Sequence, residues 1–169
     1  MLTVISDTHG TDDHRLEGAT LRAVNSADHV VHAGDFTTER VLDAVERVVP
    51  SLTAVVGNND GVPIRKRLPS VATCEWAGLT VLVVHGHEHT ETGLTMLARQ
   101  EGADVVVVGH SHRPELRARD EQLLVNPGSY ADPRRYRAAH AELDVTADGV
   151  RARLCSPDGE TLESVQWEQ

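Results

Sequence analysis

Apolar positions fall first into short unbroken runs separated by helical stripes, and later into alternating runs joined by turns. Residues 2–5 form the first run and predict a buried strand, followed by a loop rich in Asp, Thr, His and Gly. Thr11 or Asp12 is placed to cap a helix reaching about residue 25, with Leu16, Ala19, Leu21, Ala23 and Val24 as its apolar positions. A second strand is expected at 29–32. Thr37 then caps a helix in which Val41, Leu42, Val45, Val48 and Val49 recur at helical spacing until Pro50. A third strand follows at 52–56. This strand–helix alternation is the mark of a mostly parallel sheet with crossover helices.

The middle of the chain changes style. Runs at 71–76 and 79–84 flank Ala77-Gly78 and predict a hairpin. A helix is expected at 91–100, then four valines at 105–108 that read as a strand buried on both faces. From Pro114 onward strands dominate, at 115–119, 122–125, 136–145 and 150–154, with turns at Asp120-Glu121 and Asp148-Gly149. An edge strand through Leu162, Val165 and Trp167 closes the series. No repeat, linker or low-complexity stretch interrupts it, so residues 1–169 read as one α/β domain with a β-rich second half.

Composition narrows the function classes. A chain of 169 residues is long enough for a full core, and two cysteines are too few for a disulfide framework. No apolar run approaches the ~20 residues of a membrane span, and the N-terminus lacks a basic leader, so a cytoplasmic protein is expected. Twenty-six acidic residues against 16 basic ones give a charge of −10, which argues against strong nucleic-acid or membrane binding. A polyanion would bind only where local positive charge overrides that field. Ten histidines are a surplus, and Lys66 is the only lysine. An acidic surface with one lysine resembles a salt-adapted one, and a halophilic source is expected.

The metal-capable side chains fall where the strands end. Asp7 and His9 follow the first strand, Asp35 the second and Asn58 the third; His85 ends the strand 79–84, and His110 and His112 follow the four valines. In an open α/β sheet those ends form one rim, where ligands bind. Singly, Asp7 reads as a turn or cap residue, and the Gly-His-Ser-His histidines as polar loop residues. Five independent strand ends bearing such side chains are harder to explain that way.

In this order Asp7-Thr8-His9, Gly34-Asp35, Gly57-Asn58-Asn59-Asp60, His85-Gly86-His87 and Gly109-His110-Ser111-His112 resemble the calcineurin-like metallophosphoesterase signature. Asn126-Pro127-Gly128-Ser129 is similar to a loop of that family's small phosphodiesterase branch. The resemblance implies an α/β fold: a four-layer α/β/β/α sandwich of two mixed β-sheets. It further implies two divalent ions, one held by Asp7, His9, Asp35 and His112, the other by Asp35, Asn58, His85 and His110. Carboxylate, imidazole and amide donors without thiolate suit Mn²⁺ first, with Ni²⁺, Fe²⁺, Co²⁺ or Zn²⁺ as alternatives. The implied activity is phosphodiester hydrolysis by a hydroxide bridging two ions, on a small-molecule substrate, with Asn58 helping to position it. Many family members carry His after the metal-binding Asn as general acid. Here Asn59 stands there, and His87 is the best substitute.

Two other readings stay open: a catalytically inactive protein-interaction scaffold of the same fold, and a phosphomonoesterase. A homo-oligomer is compatible with all three. His14 (in the first helix), His29 and His140 read as surface or packing residues, and His32 as buried and hydrogen-bonded. His89 reads either way. Cys74 and Cys155 read as small packing residues, remote from any motif. Arg113 reads as a phosphate contact or a surface pair, and Arg134-Arg135-Tyr136-Arg137 as a solvated strand edge.

Overall fold

The chain is described here by a computed structural model covering residues 1–119 and 121–168. The first half runs β1 (Leu2–Ile5), α1 (Gly18–Ser26), β2 (His29–His32), α2 (Glu39–Val48), β3 (Leu52–Ala54) and α3 (Val62–Arg65). The hairpin β4 (Val71–Trp76) and β5 (Leu79–Val84) precedes α4 (Glu91–Gln100) and β6 (Val105–Val107). Then come β7 (Pro114–Arg119), β8 (Gln122–Pro127), β9 (His140–Thr146), β10 (Gly149–Cys155) and β11 (Thr161–Trp167). One sheet has the order β11-β10-β9-β1-β2-β3 and the other β4-β5-β6-β8-β7. Both are mixed: β1, β2 and β3 are parallel, as are β5, β6 and β8, with antiparallel strands beyond them.

Side-chain alternation explains the layering. Leu2, Val4, Val81, Val83, Val105, Val107, Leu123 and Val125 share one core between the sheets. Ile5 faces the other way, onto Leu16 and onto Val24 of α1, and Val41, Leu42 and Val45 of α2 pack on Ala54 and Val56. On the far side Leu82, Val84 and Val106 meet Ala98 of α4. The valines of β6 are therefore buried on both faces, each worth about 1.5–3 kcal/mol relative to exposure. The result is the expected α/β/β/α sandwich.

Several strand ends shift by one or two residues, and the larger departures from expectation lie around α1, α2, α3 and β9. The first helix starts at Gly18, not after Thr11 or Asp12, because Arg15 adopts a left-handed backbone (φ 56°). Its guanidinium and Tyr130 Oη also claim the Thr8 and His14 carbonyls. His14 thus lies in a loop, where its ring accepts from the Leu16 amide. Thr38, not Thr37, precedes α2 as its cap residue; Thr37 has φ 86°. The strand expected from Tyr136 begins at His140, since 129–139 forms a loop that returns to the strand ends. The short helix α3, opened by Pro63, was not anticipated. Glu121 lies in a turn as expected, while Asp120 is outside the described residues.

Candidate metal centre

Parallel strands send their following turns to the same edge, and there the loops are laced together. The Asp7 amide donates to the Gly34 carbonyl, His9 to the Asp35 carbonyl, and Gly109 to the His85 carbonyl. Asp7, His9, Asp35, His110 and His112 all have left-handed backbones, with φ between 45° and 65°. Such conformations cost non-glycine residues about 1–3 kcal/mol each and persist only where their surroundings enforce them. They turn five of the seven expected ligands off their strands and into one cluster.

In that cluster acceptors face acceptors. His85 Nδ1 donates to the Ala33 carbonyl at 2.7 Å, which leaves Nε2 bare in the neutral ring. That nitrogen lies 3.0 Å from Asn58 Oδ1 and 3.3 Å from Asp35 Oδ2. His112 is oriented in the same way by the Asp132 carbonyl. Its Nε2 lies 3.3 Å from Asp7 Oδ1 and 3.2 Å from His9 Nε2. Asp35 Oδ2 is 3.4 Å from His9 Nε2 as well, so one carboxylate oxygen sits between the two halves. His110 Nδ1 lies 2.9 Å from Asn58 Oδ1, completing the second half. Asp7 Oδ1 is buried without a hydrogen-bond partner, while Oδ2 accepts from Ser6 Oγ and the His110 amide.

The charges follow from this crowding. Burial alone would raise the Asp35 carboxyl, but His85 and the Asn59 side chain and amide hold it well below its usual range. The Asp7 carboxylate raises His9 above its ordinary value, against burial, with Asp35 adding to the effect. Burial lowers His85, yet hydrogen bonding and charge from Asp35 leave it raised. His110 is lowered by desolvation and by His85.

Residues 1–148 match the family model described as the calcineurin-like phosphoesterase superfamily domain. The Bacillus subtilis protein named "Probable metallophosphoesterase YsnB" is 31% identical over 169 residues, spanning 96% of this chain and 95% of its own. The chain belongs to the calcineurin-like phosphoesterase superfamily. "Phosphodiesterase MJ0936" of Methanocaldococcus jannaschii is 26% identical over 136 residues, covering 74% of this chain and 81% of that one. Among solved structures, wild-type Vps29 of Entamoeba histolytica complexed with zinc superposes with a TM-score of 0.78 over 97% of each chain at 19% identity, a likeness of fold.

As a calcineurin-like phosphoesterase chain, it fits a metal at the strand ends by its own donor chemistry. An unsatisfied buried carboxylate oxygen and two imidazole lone pairs, fixed by backbone carbonyls, point at one another; a cation turns that repulsion into ligation. The structure brings all seven expected residues together and leaves His87 beside them. The His87 ring centroid is 5.3 Å from that of His85 and 6.0 Å from that of His110.

Several residues take supporting roles that the sequence did not show. Asn59 holds Asp35 through both its amide nitrogens, at 2.8 and 2.7 Å. The buried Asp60 carboxylate accepts the backbone amides of Asp35, Thr37 and Gly57 and so fixes two loops at once. Ser129 Oγ donates to the Asp7 carbonyl. Asn59, Asp60 and Ser129 lie within the family-like motifs, whereas nothing in the sequence pointed to Asp132.

A hydrogen-bonded chain runs behind the site. The Gly34 amide donates to His32 Nδ1, so His32 Nε2–H donates to Thr8, and Tyr130 Oη donates to the His14 carbonyl, leaving it to accept from Thr8. His32 is fully buried, and desolvation lowers it from 6.5 to about 3. Its neutral form is favoured by folding, so between those values the unfolded chain binds the extra proton and stability falls as pH falls. The wild type is expected to lose up to about 1.4 kcal/mol per pH unit more than H32Q through that window. Denaturant unfolding at a series of pH values checks this; identical slopes would refute it.

Proposed function

We propose that this protein is a metal-dependent phosphodiesterase, with residues 1–169 as one catalytic domain working in the cytoplasm. Its substrate is a small or accessible phosphodiester. The observation that carries this reading is the convergence of Asp7, His9, Asp35 and His112 on one side, and Asp35, Asn58, His85 and His110 on the other, with Asp35 Oδ2 between them. These residues would hold two divalent ions, Mn²⁺ by preference. When bound, such a pair supplies Lewis-acid polarisation of the phosphoryl oxygens and a hydroxide nucleophile near neutral pH.

The chain's own residues do the rest. The Ala33 and Asp132 carbonyls hold the His85 and His112 rings in the tautomer that presents Nε2. Asn59 and Asp60 keep Asp35 and its loop in place. Asn58 turns its amide oxygen to the same point as His85 Nε2 and His110 Nδ1, where it would serve as an oxygen ligand and help to position the substrate. His87, with a partly exposed ring beside His110, protonates the leaving oxygen. Asn59 cannot do so, since an amide has no proton to give at neutral pH. The missing donor at residue 59 favours esters with stable leaving groups, and the diester is preferred on the likeness to the relative named a phosphodiesterase.

The alternative is a silent scaffold of the same fold. It would need no intact donor set, and here every expected position holds a competent side chain. Hydrolysis of a chromogenic aryl phosphodiester with added Mn²⁺ or Ni²⁺ tests the proposal, with the corresponding monoester as comparison. Turnover of the diester is the expected result. Folded protein that is inert with every divalent ion would overturn it, and preference for the monoester would overturn the diester assignment.

A further inference from the structure

We propose that His140, Glu142 and Cys155 form a separate cation site that takes one soft divalent ion of the zinc class. It shares no residue with the strand-end centre. It sits on the α1-covered face of the larger sheet, and strand geometry puts it there. In β9, Ala141 and Leu143 point into the inter-sheet core, so His140 and Glu142 point the other way. In β10, Ala152 and Leu154 point inward and Cys155 outward. The antiparallel register pairs Cys155 with His140, which places all three side chains on one patch.

One ligand atom from each lies within 4.8 Å of the others. His140 is fully buried and Cys155 nearly so. His140 Nε2 is 3.2 Å from Glu142 Oε1. Tetrahedral zinc with bonds of about 2.0–2.3 Å needs ligand atoms about 3.3–3.8 Å apart. The His–Glu edge, at 3.2 Å, falls about 0.1 Å short of that range, and the sulfur closes on the other two by an adjustment of at most about 1 Å. Thr20 Oγ of α1 lies 3.0 Å from His140 Nδ1; by accepting a hydrogen bond from Nδ1–H it leaves Nε2 as the ligand. A pocket of about 310 Å³ lined by Met1, Ala19, Glu142, Arg153, Cys155 and Thr161 gives an ion a route in and leaves room for a water as fourth ligand.

The charges close. Burial and the nearby Glu142 push the Cys155 thiol up, so the metal-free protein holds S–H there. Binding breaks that bond heterolytically: the pair stays on sulfur as the new ligand, and one proton leaves to solvent. Thiolate, carboxylate and dication then sum to zero. Arg153 keeps Glu142 Oε2 at 2.8 Å and is itself balanced by Asp144 at 3.0 Å. A thiolate beside an imidazole selects zinc-like ions over Mg²⁺ or Ca²⁺. The ion would pin α1, through Thr20, to β9 and β10.

The proposal stands independently of the phosphodiesterase reading, because the strand-end centre offers only nitrogen and oxygen donors. Metal-free protein titrated with Co²⁺ is expected to develop the near-ultraviolet charge-transfer band of a Co–thiolate bond, saturating at one such ion per chain. Asp35→Asn and Cys74→Ser keep the band, and Cys155→Ser loses it. Should Cys155→Ser fail to fold, Glu142→Gln, which retains the thiol, is expected to weaken binding read at that band by at least about tenfold. A folded wild type saturated with Co²⁺ but lacking the band overturns the proposal. So does a band that survives Cys155→Ser, disappears with Cys74→Ser or Asp35→Asn, or titrates unchanged in Glu142→Gln.

Discussion

Asp35→Asn is expected to lower phosphodiester turnover by about 10³-fold or more and to abolish retention of metal at the strand ends. Shape is conserved in this change, so the loss comes from chemistry. Asp35 Oδ2 lies 3.4 Å from His9 Nε2 and 3.3 Å from His85 Nε2, and it accepts from Asn59 Nδ2 at 2.7 Å. Asparagine removes the negative charge that serves both halves of the centre. If its amide nitrogen takes the Oδ2 position, it meets the Asn59 amide donor to donor. If it takes the other, it faces the Asn59 backbone amide, again donor to donor. Metal-free stability should move little, by about 1 kcal/mol, because one hydrogen bond is traded against relief of buried charge. Metal analysis, Mn²⁺-dependent thermal stabilisation and turnover of an aryl diester check this together. A folded variant that keeps its metal and more than a tenth of its activity would overturn the role of Asp35 as the carboxylate shared by both halves.

How much of this was legible beforehand depends on which physical signal each feature leaves in the sequence. The strand ends were legible because short apolar runs stop abruptly, so Asp7, Asp35, Asn58, His85 and His110 could be placed on one rim by period alone. Both outer helices packed on the larger sheet followed from stripes such as Val41, Leu42 and Val45, whose burial leaves a mark every three or four residues. The start of α1 was not legible. Thr11 and Asp12 are good caps in isolation, but Tyr130, more than a hundred residues away, takes the His14 carbonyl, and local propensity carries no trace of that. The left-handed backbones at Asp7, His9, Asp35, His110 and His112 run against propensity, so no pattern could announce them. Asn59 was read as a missing proton donor, whereas its place in the structure is as the clamp on Asp35. His140 and Cys155 looked like packing residues because their meeting depends on the β9–β10 register. Contacts between distant segments are what single-sequence periodicity does not encode.

A single methyl group at Gly57 is expected to disturb the centre nearly as much as a lost ligand. A Cβ built there would lie 2.1 Å from Asp35 Oδ1, 2.4 Å from the Asp35 amide nitrogen and 2.7 Å from its Cγ, all far inside van der Waals contact. The obstacle includes backbone, so no rotamer change relieves it. Nor can the two loops simply part. The Asp60 carboxylate joins them, accepting the Gly57 amide at 2.7 Å, the Asp35 amide at 3.2 Å and the Thr37 amide at 2.7 Å. Gly57→Ala must therefore push Asp35 off its position or break that carboxylate's bonds. The first costs about 10²-fold in turnover for a displacement near 1 Å. Overpacking costs about 1–3 kcal/mol in stability, and each buried bond broken adds to it. Gly61→Ala is the matched control, since its added Cβ meets only Pro63 Cδ at 3.5 Å and the Thr37 carbonyl at 3.7 Å. It is expected to stay within about 1 kcal/mol of wild type, with turnover intact. Denaturant midpoints and diester hydrolysis measured on both variants decide the matter. If the pair behave alike, the loops yield freely, and the position of Asp35 is set by something other than the absence of a side chain at residue 57.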